Sequence, residues 1–271
     1  MLTPGIYTNV AFKDYLAIEA ISNSYLGRLA ECPAKALVPS EDTPSLIIGR
    51  AVHKAVLEGQ DAFNAEFAIG PEVDKRTKAG KEEWAAFEAE NQSKVILKKE
   101  DSDKVLCVAN AVFRHPWASK LLADGVAEQT IIFQDFDSGL LCKARPDCLP
   151  DEGKRTMVDL KTTRGAGGKA FTRSIIDYGY ARQAAFYLDG MNAIRKGTLK
   201  NTFFDLFVFI AVETETPYRV EVYALSSDFI EYGRAEYQRL LKVEIECRKA
   251  GTYPHYSNEG IVEIYKPGWL I

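Results

Sequence analysis

The stretch "CKARPDCLPDEGKRTMVDLKTT", residues 142–163, brings two acids and a lysine close together: Asp147, Asp159 and Lys161. Side chains of a strand alternate between its faces, so Asp159 and Lys161 point one way while Val158, Leu160 and Thr162 point the other. Eleven residues separate Asp147 from Asp159. An antiparallel hairpin that turns at "DEGK" sets the two acids side by side. Two carboxylates, with the Leu160 main-chain carbonyl between the functional groups, make a hard oxygen site. Mg²⁺ or Mn²⁺ suits it, because such ions take few protein ligands and keep water for a substrate phosphate to displace. A lysine beside the metal can orient the attacking water or offset charge building on phosphorus. A surface ion pair between Asp159 and Lys161 is the plainer alternative.

The elements that must hold these residues follow from the pattern around them. Residues 1–125 read as mainly helical. Ser22 or Ser24 caps a helix through "YLGRLAEC" that ends near Pro33. "SLIIGRAVHKAVLEG" carries a helical stripe with Gly59 as its stop. "KEEWAAFEAE" starts a helix with acids in its first turn, and another spans Asp101 to Phe113. From Glu128 the period becomes that of strands: "EQTIIFQDF", then "LLCKARPDCL" after the turn "DSG", then "RTMVDLKTT". A long helix from about Ile175 to Arg195, strands in "TFFDLFVFIAV" and "YRVEVYAL", and a helix over Asp228 to Arg248 complete a catalytic core at 126–250. The fold class is α/β (α+β), one domain on a mixed central sheet flanked by helices. The aromatic, proline-broken tail 251–271 is expected to pack on the core or on a neighbouring subunit.

Composition excludes little beyond this. With 46% hydrophobic and 27% charged residues in 271, the chain is of ordinary globular type. Its longest apolar run, Phe203 to Val212, is interrupted by Asp205 and too short to cross a bilayer. "MLTPGIYTNVAFKDY" lacks the basic start and apolar centre of a secretory signal, so the cytoplasm is the expected compartment. Five scattered cysteines without a C-x-x-C pair argue against a disulfide framework and against a zinc or iron–sulfur site. A net charge of −4 neither suggests nor excludes nucleic acid, since local basic patches decide that binding.

Pro146-Asp147 followed by Asp159-Leu160-Lys161 resembles the signature of the PD-(D/E)XK nuclease superfamily. "YGYARQAAFYLDG" puts Gln183 and Tyr187 on one helix face, and "GRAVH" offers His53 on a helix. His, Asp, D-x-K, then Q-x-x-x-Y is the order of the RecB-type branch. Together with "SNSYLGRLAECPAKAL", "DKRTKAGKEEWAAF" and "SIID", these stretches look like the exonuclease VIII (RecE) and lambda-type phage exonuclease family, over about residues 20–190. The resemblance implies a restriction-endonuclease-like core with an N-terminal helical extension. It also implies Asp147, Asp159 and the Leu160 carbonyl as metal ligands, joined by His53 and by Glu128. Lys161 would act on the water and Gln183 would position water, phosphate or lysine. Tyr187 would pack behind the site or touch the DNA backbone.

The same family implies Mg²⁺ with Mn²⁺ as substitute, and 5′-to-3′ digestion of linear double-stranded DNA. It further implies a ring-shaped trimer or tetramer, and a single-strand annealing protein of the RecT or Bet type as partner. C-terminal cysteines that bind an iron–sulfur cluster in some relatives are reduced here to Cys247, so no cluster is expected. Arg76, Lys78 and Lys81, just ahead of a helix, and Arg164, after the catalytic strand, are candidate DNA contacts. Each has a bland reading beside it: His53 as a core histidine, Gln183 and Tyr187 as core capping, Glu128 as an exposed strand end, the basic loop as solvated surface. A nuclease acting on single strands or flaps, and a DNA-end-binding module without activity, are the alternatives.

Overall fold

Two apolar segments of strand period, "TMVDLKTT" and "LFVFIAVE", lie side by side in the middle of the molecule. The computed structural model describes residues 3–39, 41–123, 125–150, 155–196, 203–256, 261 and 263–266. In chain order the elements are β1 (Gly5–Tyr7), α1 (Phe12–Ala17), α2 (Asn23–Glu31), a 3₁₀ turn (Pro33–Leu37) and α3 (Pro44–His53). A π-helical turn (Lys54–Glu58), α4 (Gly59–Glu66), β2 (Phe67–Ile69), α5 (Lys78–Glu90), β3 (Val95–Leu97), α6 (Lys99–Arg114) and α7 (Pro116–Ala123) follow. Then come β4 (Gly125–Ala127), β5 (Thr130–Gln134), β6 (Leu141–Ala144), β7 (Cys148–Pro150) and β8 (Thr156–Thr163). The chain continues through α8 (Gly168–Asp177), α9 (Tyr180–Arg195), β9 (Leu206–Glu213), β10 (Val220–Ala224) and α10 (Ser227–Ala250).

The main sheet runs β10-β9-β8-β7-β4, with β8 and β9 parallel and the other pairs antiparallel. It is the mixed central sheet expected from the sequence. Alternation along β8 and β9 divides the core in two. Met157, Phe207, Phe209 and Ala211 pack with α2, α8, α9 and α10. Val158, Leu160, Ile210 and Val212 pack with α3, α4, α6 and α7. A second sheet, β1-β5-β6, is antiparallel, and β2 and β3 form a parallel pair. Because β1 pairs with β5, the mainly helical N-terminal part and the catalytic core share a sheet.

Several boundaries differ from the sequence reading, each for a local reason. "LLCKARPDCL" is two strands in two sheets, β6 and β7, broken at Arg145–Asp147. Pro146 has no N–H for a ladder, so pairing stops there. The long helix expected over 175–195 is two helices, α8 and α9, because Gly179 takes a left-handed φ of 65° between them. Helix α5 starts a turn early, since Thr77 caps it by accepting from the Gly80 N–H at 3.0 Å, which leaves no acid in its first turn. Pro116 ends one helix and opens α7, a role prolines fill well at a first helical position. Gly59, with φ 87°, marks a corner from which α4 continues rather than a stop. The "DEGK" turn lies outside the described residues. The tail starts on the core: Tyr253 O–H donates to Glu244 at 3.1 Å, and Pro254 accepts from the Ala34 N–H at 3.2 Å.

Lys143 of β6 is buried, and its ammonium donates to the carbonyls of Tyr15 (2.8 Å), Leu16 (3.0 Å) and Ile18 (2.8 Å). These groups at the C-terminal end of α1 have few partners within their own short helix. A charged donor on them fixes α1 against the sheet, each such bond being worth about 1.5–3 kcal/mol. Among the described residues no helix is long and apolar enough to cross a membrane.

Candidate active site

The break between β6 and β7 brings the predicted residues together. Cys148 pairs with Val158 across the antiparallel ladder, so Asp147, one step back, stands opposite Asp159. Asp147 Oδ2 accepts from the Leu160 N–H at 2.6 Å and lies 3.4 Å from His53 Nδ1. The contact made by Leu160 is therefore through its N–H. Asp159 Oδ1 accepts from Gln183 Nε2 at 2.7 Å, and Lys161 Nζ stands 2.5 Å from Asp159 Oδ2. His53 reaches in from the end of α3, where the π-helical turn begins, and Gln183 from the first turn of α9. Glu128, at positive φ between β4 and β5, pairs with Arg145. One ligand atom each from His53, Glu128 and Asp147 lies within 4.8 Å of the others.

The electrostatics reflect crowding of like charge in a dry place. Burial, and next the Asp147 carboxylate, push Asp159 up to about 6 against the pull of Lys161. Burial acts the same way on Asp147, yet His53, Lys161 and the Leu160 N–H outweigh it and hold Asp147 below its ordinary value. His53 would fall through burial, but the charge of Asp147 and the contact with it raise the imidazole to about 9. Burial opposes the charge on Lys161 too, and Asp159 and Asp147 overcome it, so the ammonium keeps its proton more firmly than usual. Glu128 is raised by burial and by Asp147, with Arg145 opposing.

Would these residues suit a divalent cation? Asp159 Oδ2 is a buried oxygen with no well-aligned hydrogen bond, although the Lys161 ammonium is close. Two carboxylates face each other across β7 and β8, with a third and an imidazole near, a donor set of oxygen and nitrogen that fits a hard or borderline metal. Asp159 stands outside the tight group of His53, Glu128 and Asp147 because its oxygens are turned to Gln183 and Lys161.

The remaining predicted residues fall elsewhere. Tyr187 is buried near Asp147 and Asp159 and packs on Phe186 and Phe207, in keeping with the packing role among the two expected of it. Arg76, Lys78 and Lys81 are exposed around the start of α5; Arg76 is engaged with Asp74 (3.0 Å) and Lys78 with Glu82 (3.9 Å). Arg164 is exposed just past β8, on a segment anchored rather than free. There the Ala166 N–H donates to Glu213 at 2.9 Å, and the Ala166 carbonyl accepts from the Tyr223 hydroxyl at 2.7 Å.

Two residues escaped the sequence reading. Arg145 grips Glu128, donates to the Val10 carbonyl at 2.9 Å and lies over the rings of Phe12 and Tyr15. Its place beside Pro146-Asp147 was the available signal. Tyr180 lies 4.9 Å from Lys161 Nζ to its ring centre, and its position three before Gln183 put it on the same helix face.

Comparison with known proteins bears on the family and the fold. A family described as "PDDEXK-like domain of unknown function (DUF3799)" matches residues 22–264. No curated protein matches the sequence significantly. Among solved structures, one from Eubacterium rectale described as "Putative exonuclease" aligns over 96% of this chain and 97% of its own, at 13% identity and a TM-score of 0.62. That likeness shows the shared fold. A protein called SSO0001 aligns over 89% of this chain and 94% of its own at 12% identity, with a TM-score of 0.30.

Proposed function

The chain belongs to the PDDEXK-like family DUF3799, and from that membership we propose that it is a Mg²⁺-dependent nuclease hydrolysing DNA phosphodiesters. The observation that carries the reading is the buried pair Asp147, just ahead of β7, and Asp159 on β8, with Lys161 against Asp159 and His53 against Asp147. Asp147, Glu128 and His53, with Asp159 beside them, would hold the ion. Bound there, Mg²⁺ would stabilise the negative charge that develops on the phosphate. Lys161, protonated in the neutral range, donates hydrogen bonds; it orients the attacking water and the phosphate and does not take a proton from the water. Gln183 fixes the rotation of the Asp159 carboxylate, and Leu160 N–H does the same for Asp147. Exodigestion from the 5′ end of a linear duplex, a ring-shaped homo-oligomer and an annealing partner of the RecT or Bet type belong to the same proposal. They are supported by the sequence resemblance to exonuclease VIII.

A linear duplex labelled at the 5′ or 3′ end of one strand, incubated with Mg²⁺ beside a covalently closed circle, tests this. Early release of the 5′ label with the circle untouched is the expected result. Cutting of the circle would remove the end dependence and keep the nuclease. No cleavage with Mg²⁺ or Mn²⁺ would end the proposal.

A pH dependence follows. Asp159, raised to about 6, contributes stability to the metal-free protein below about pH 4 that is lost as pH rises through 6. His53, raised to about 9, contributes stability present below its ordinary value near 6.5 and lost through pH 9. An ion needs the ionised carboxylate and the neutral imidazole, so its affinity runs opposite to both. Thermal melts are expected to show a Mg²⁺-induced rise in Tm that grows steadily from pH 6 to pH 9. A rise that is constant across that range would contradict the ligand assignment.

A further inference from the structure

We propose that Tyr178 is a stacking platform for a nucleobase of the strand being cut, the outer rung of an aromatic ladder that ends at Lys161. This inference rests on the nuclease reading above and adds to it a residue that holds the substrate. Tyr178 sits at the corner between α8 and α9 and is 67% exposed. Its ring centre is 5.7 Å from that of Tyr180, and the Tyr180 ring centre is 4.9 Å from Lys161 Nζ. Laid end to end these steps put the exposed ring no more than 10.6 Å from the lysine. That span is about three base steps at 3.4 Å each. A base resting on Tyr178 therefore belongs to a nucleotide within about three of the phosphate that Lys161 addresses.

An isolated exposed tyrosine would mean little. What distinguishes this one is its mounting. Tyr180 is held from below by Phe209, at 5.6 Å between ring centres, and by Phe171 at 6.1 Å. The corner itself is fixed by Arg182, which is buried, donates to Asn23 at 3.0 Å and pairs with Glu236 at 2.6 Å. Gly179 lies so close to that guanidinium that a Cβ there would stand 2.5 Å from it. Three helices thus hold the corner that carries the exposed ring, and Tyr180 backs one side of it, so the ring binds at low entropic cost. Exposed basic residues on the preceding stretch, Arg164, Lys169 and Arg173, supply the charge that usually accompanies stacking in single-strand grooves.

The test uses the full chain with Tyr178→Ala, Tyr178→Phe and Tyr178→Trp. Binding of a duplex with a short single-stranded end is followed by anisotropy, with Ca²⁺ in place of Mg²⁺, and 2-aminopurine at successive end positions reports stacking. Cleavage is followed with Mg²⁺. Tyr178→Ala should weaken binding about 5- to 150-fold, as expected for one lost base–aromatic stack. It should raise KM with kcat nearly kept, and abolish the 2-aminopurine quenching at one position. Phe and Trp should keep all three readouts, and all variants should melt as the wild type does. A cleaving wild type with an unchanged Tyr178→Ala overturns the stacking role alone. Equal losses in Ala, Phe and Trp do the same, since a stack does not need the hydroxyl. A wild type that neither binds nor cleaves DNA overturns this inference together with the nuclease reading.

Discussion

Asp159→Asn is expected to lower DNA cleavage on the order of 10³-fold or more while leaving the fold in place. The size follows from the role: a carboxylate that helps hold the ion supports several kcal/mol of charge stabilisation, and each 1.36 kcal/mol is tenfold in rate. The fold is expected to survive because two effects oppose each other. Asn keeps the shape and can still accept from Gln183, and it removes the repulsion from Asp147 that pushes Asp159 up to about 6. The same change leaves the Lys161 ammonium without its nearest counter-charge, and its amide presents a donor to a donor. End-labelled cleavage and a thermal melt, run on one preparation, check both halves. A fully active variant would remove Asp159 from the site, and a variant that fails to fold would show its charge to be structural.

Gly233→Ala is expected to lower Tm by about 2–12 °C and to cost activity as well, although the residue touches no part of the site. Helices α9 and α10 cross at Gly233, and a Cβ there would stand 2.0 Å from the Ala181 carbonyl oxygen, 2.2 Å from its carbon and 2.7 Å from the Arg182 nitrogen. All three are backbone atoms, which cannot rotate aside, so the helices must separate. Overpacking costs about 1–3 kcal/mol, and each kcal/mol moves Tm by roughly 2–4 °C in a chain of this size. Ala181 and Arg182 immediately precede Gln183, so the shift carries the amide away from Asp159. A misplacement of about 1 Å in a catalytic constellation can cost about 10²-fold. Gly251→Ala is the matched control: φ there is 67° with nothing near, so it should bring backbone strain and leave cleavage intact. Equal activity in the two variants would show that α9 tolerates the displacement.

Which parts of this were open to inspection in the amino-acid string? Asp147, Asp159 and Lys161 were readable because the strand period and the hairpin place them relative to one another, whereas His53 and Gln183 entered through the family resemblance. The mixed sheet followed from the order of helical and strand patterns. What could not be read was relation across elements. Nothing in "LLCKARPDCL" states that its two halves join different sheets, because the proline marks a break without giving its direction. The buried Tyr187 within α9 and the exposed Tyr178 at the corner before it both lie in the single helical stretch that the sequence suggested, and only packing separates a wall from a surface. Gly233 gave no signal at all, since the constraint on it comes from a helix about fifty residues away in the chain. The three-residue strands β1 to β3 are too brief for any period to register.

The hydrogen bonds by which Lys143 holds α1 all go to main-chain oxygens, beside a contact of its ammonium with the Tyr15 ring at 4.8 Å. Every residue has such an oxygen, so this part of the latch is blind to spelling, and only the rings of Phe12 and Tyr15 are read as side chains. The rest of this segment can drift through substitution while its seat on Lys143 and Arg145 is inherited unchanged, provided its length and helical turn are kept. Exchange of Phe12–Ala17 for another helical hexapeptide that keeps Phe12 and Tyr15 is then a tolerated transplant, whereas one inserted residue would slide the whole segment out of its mooring.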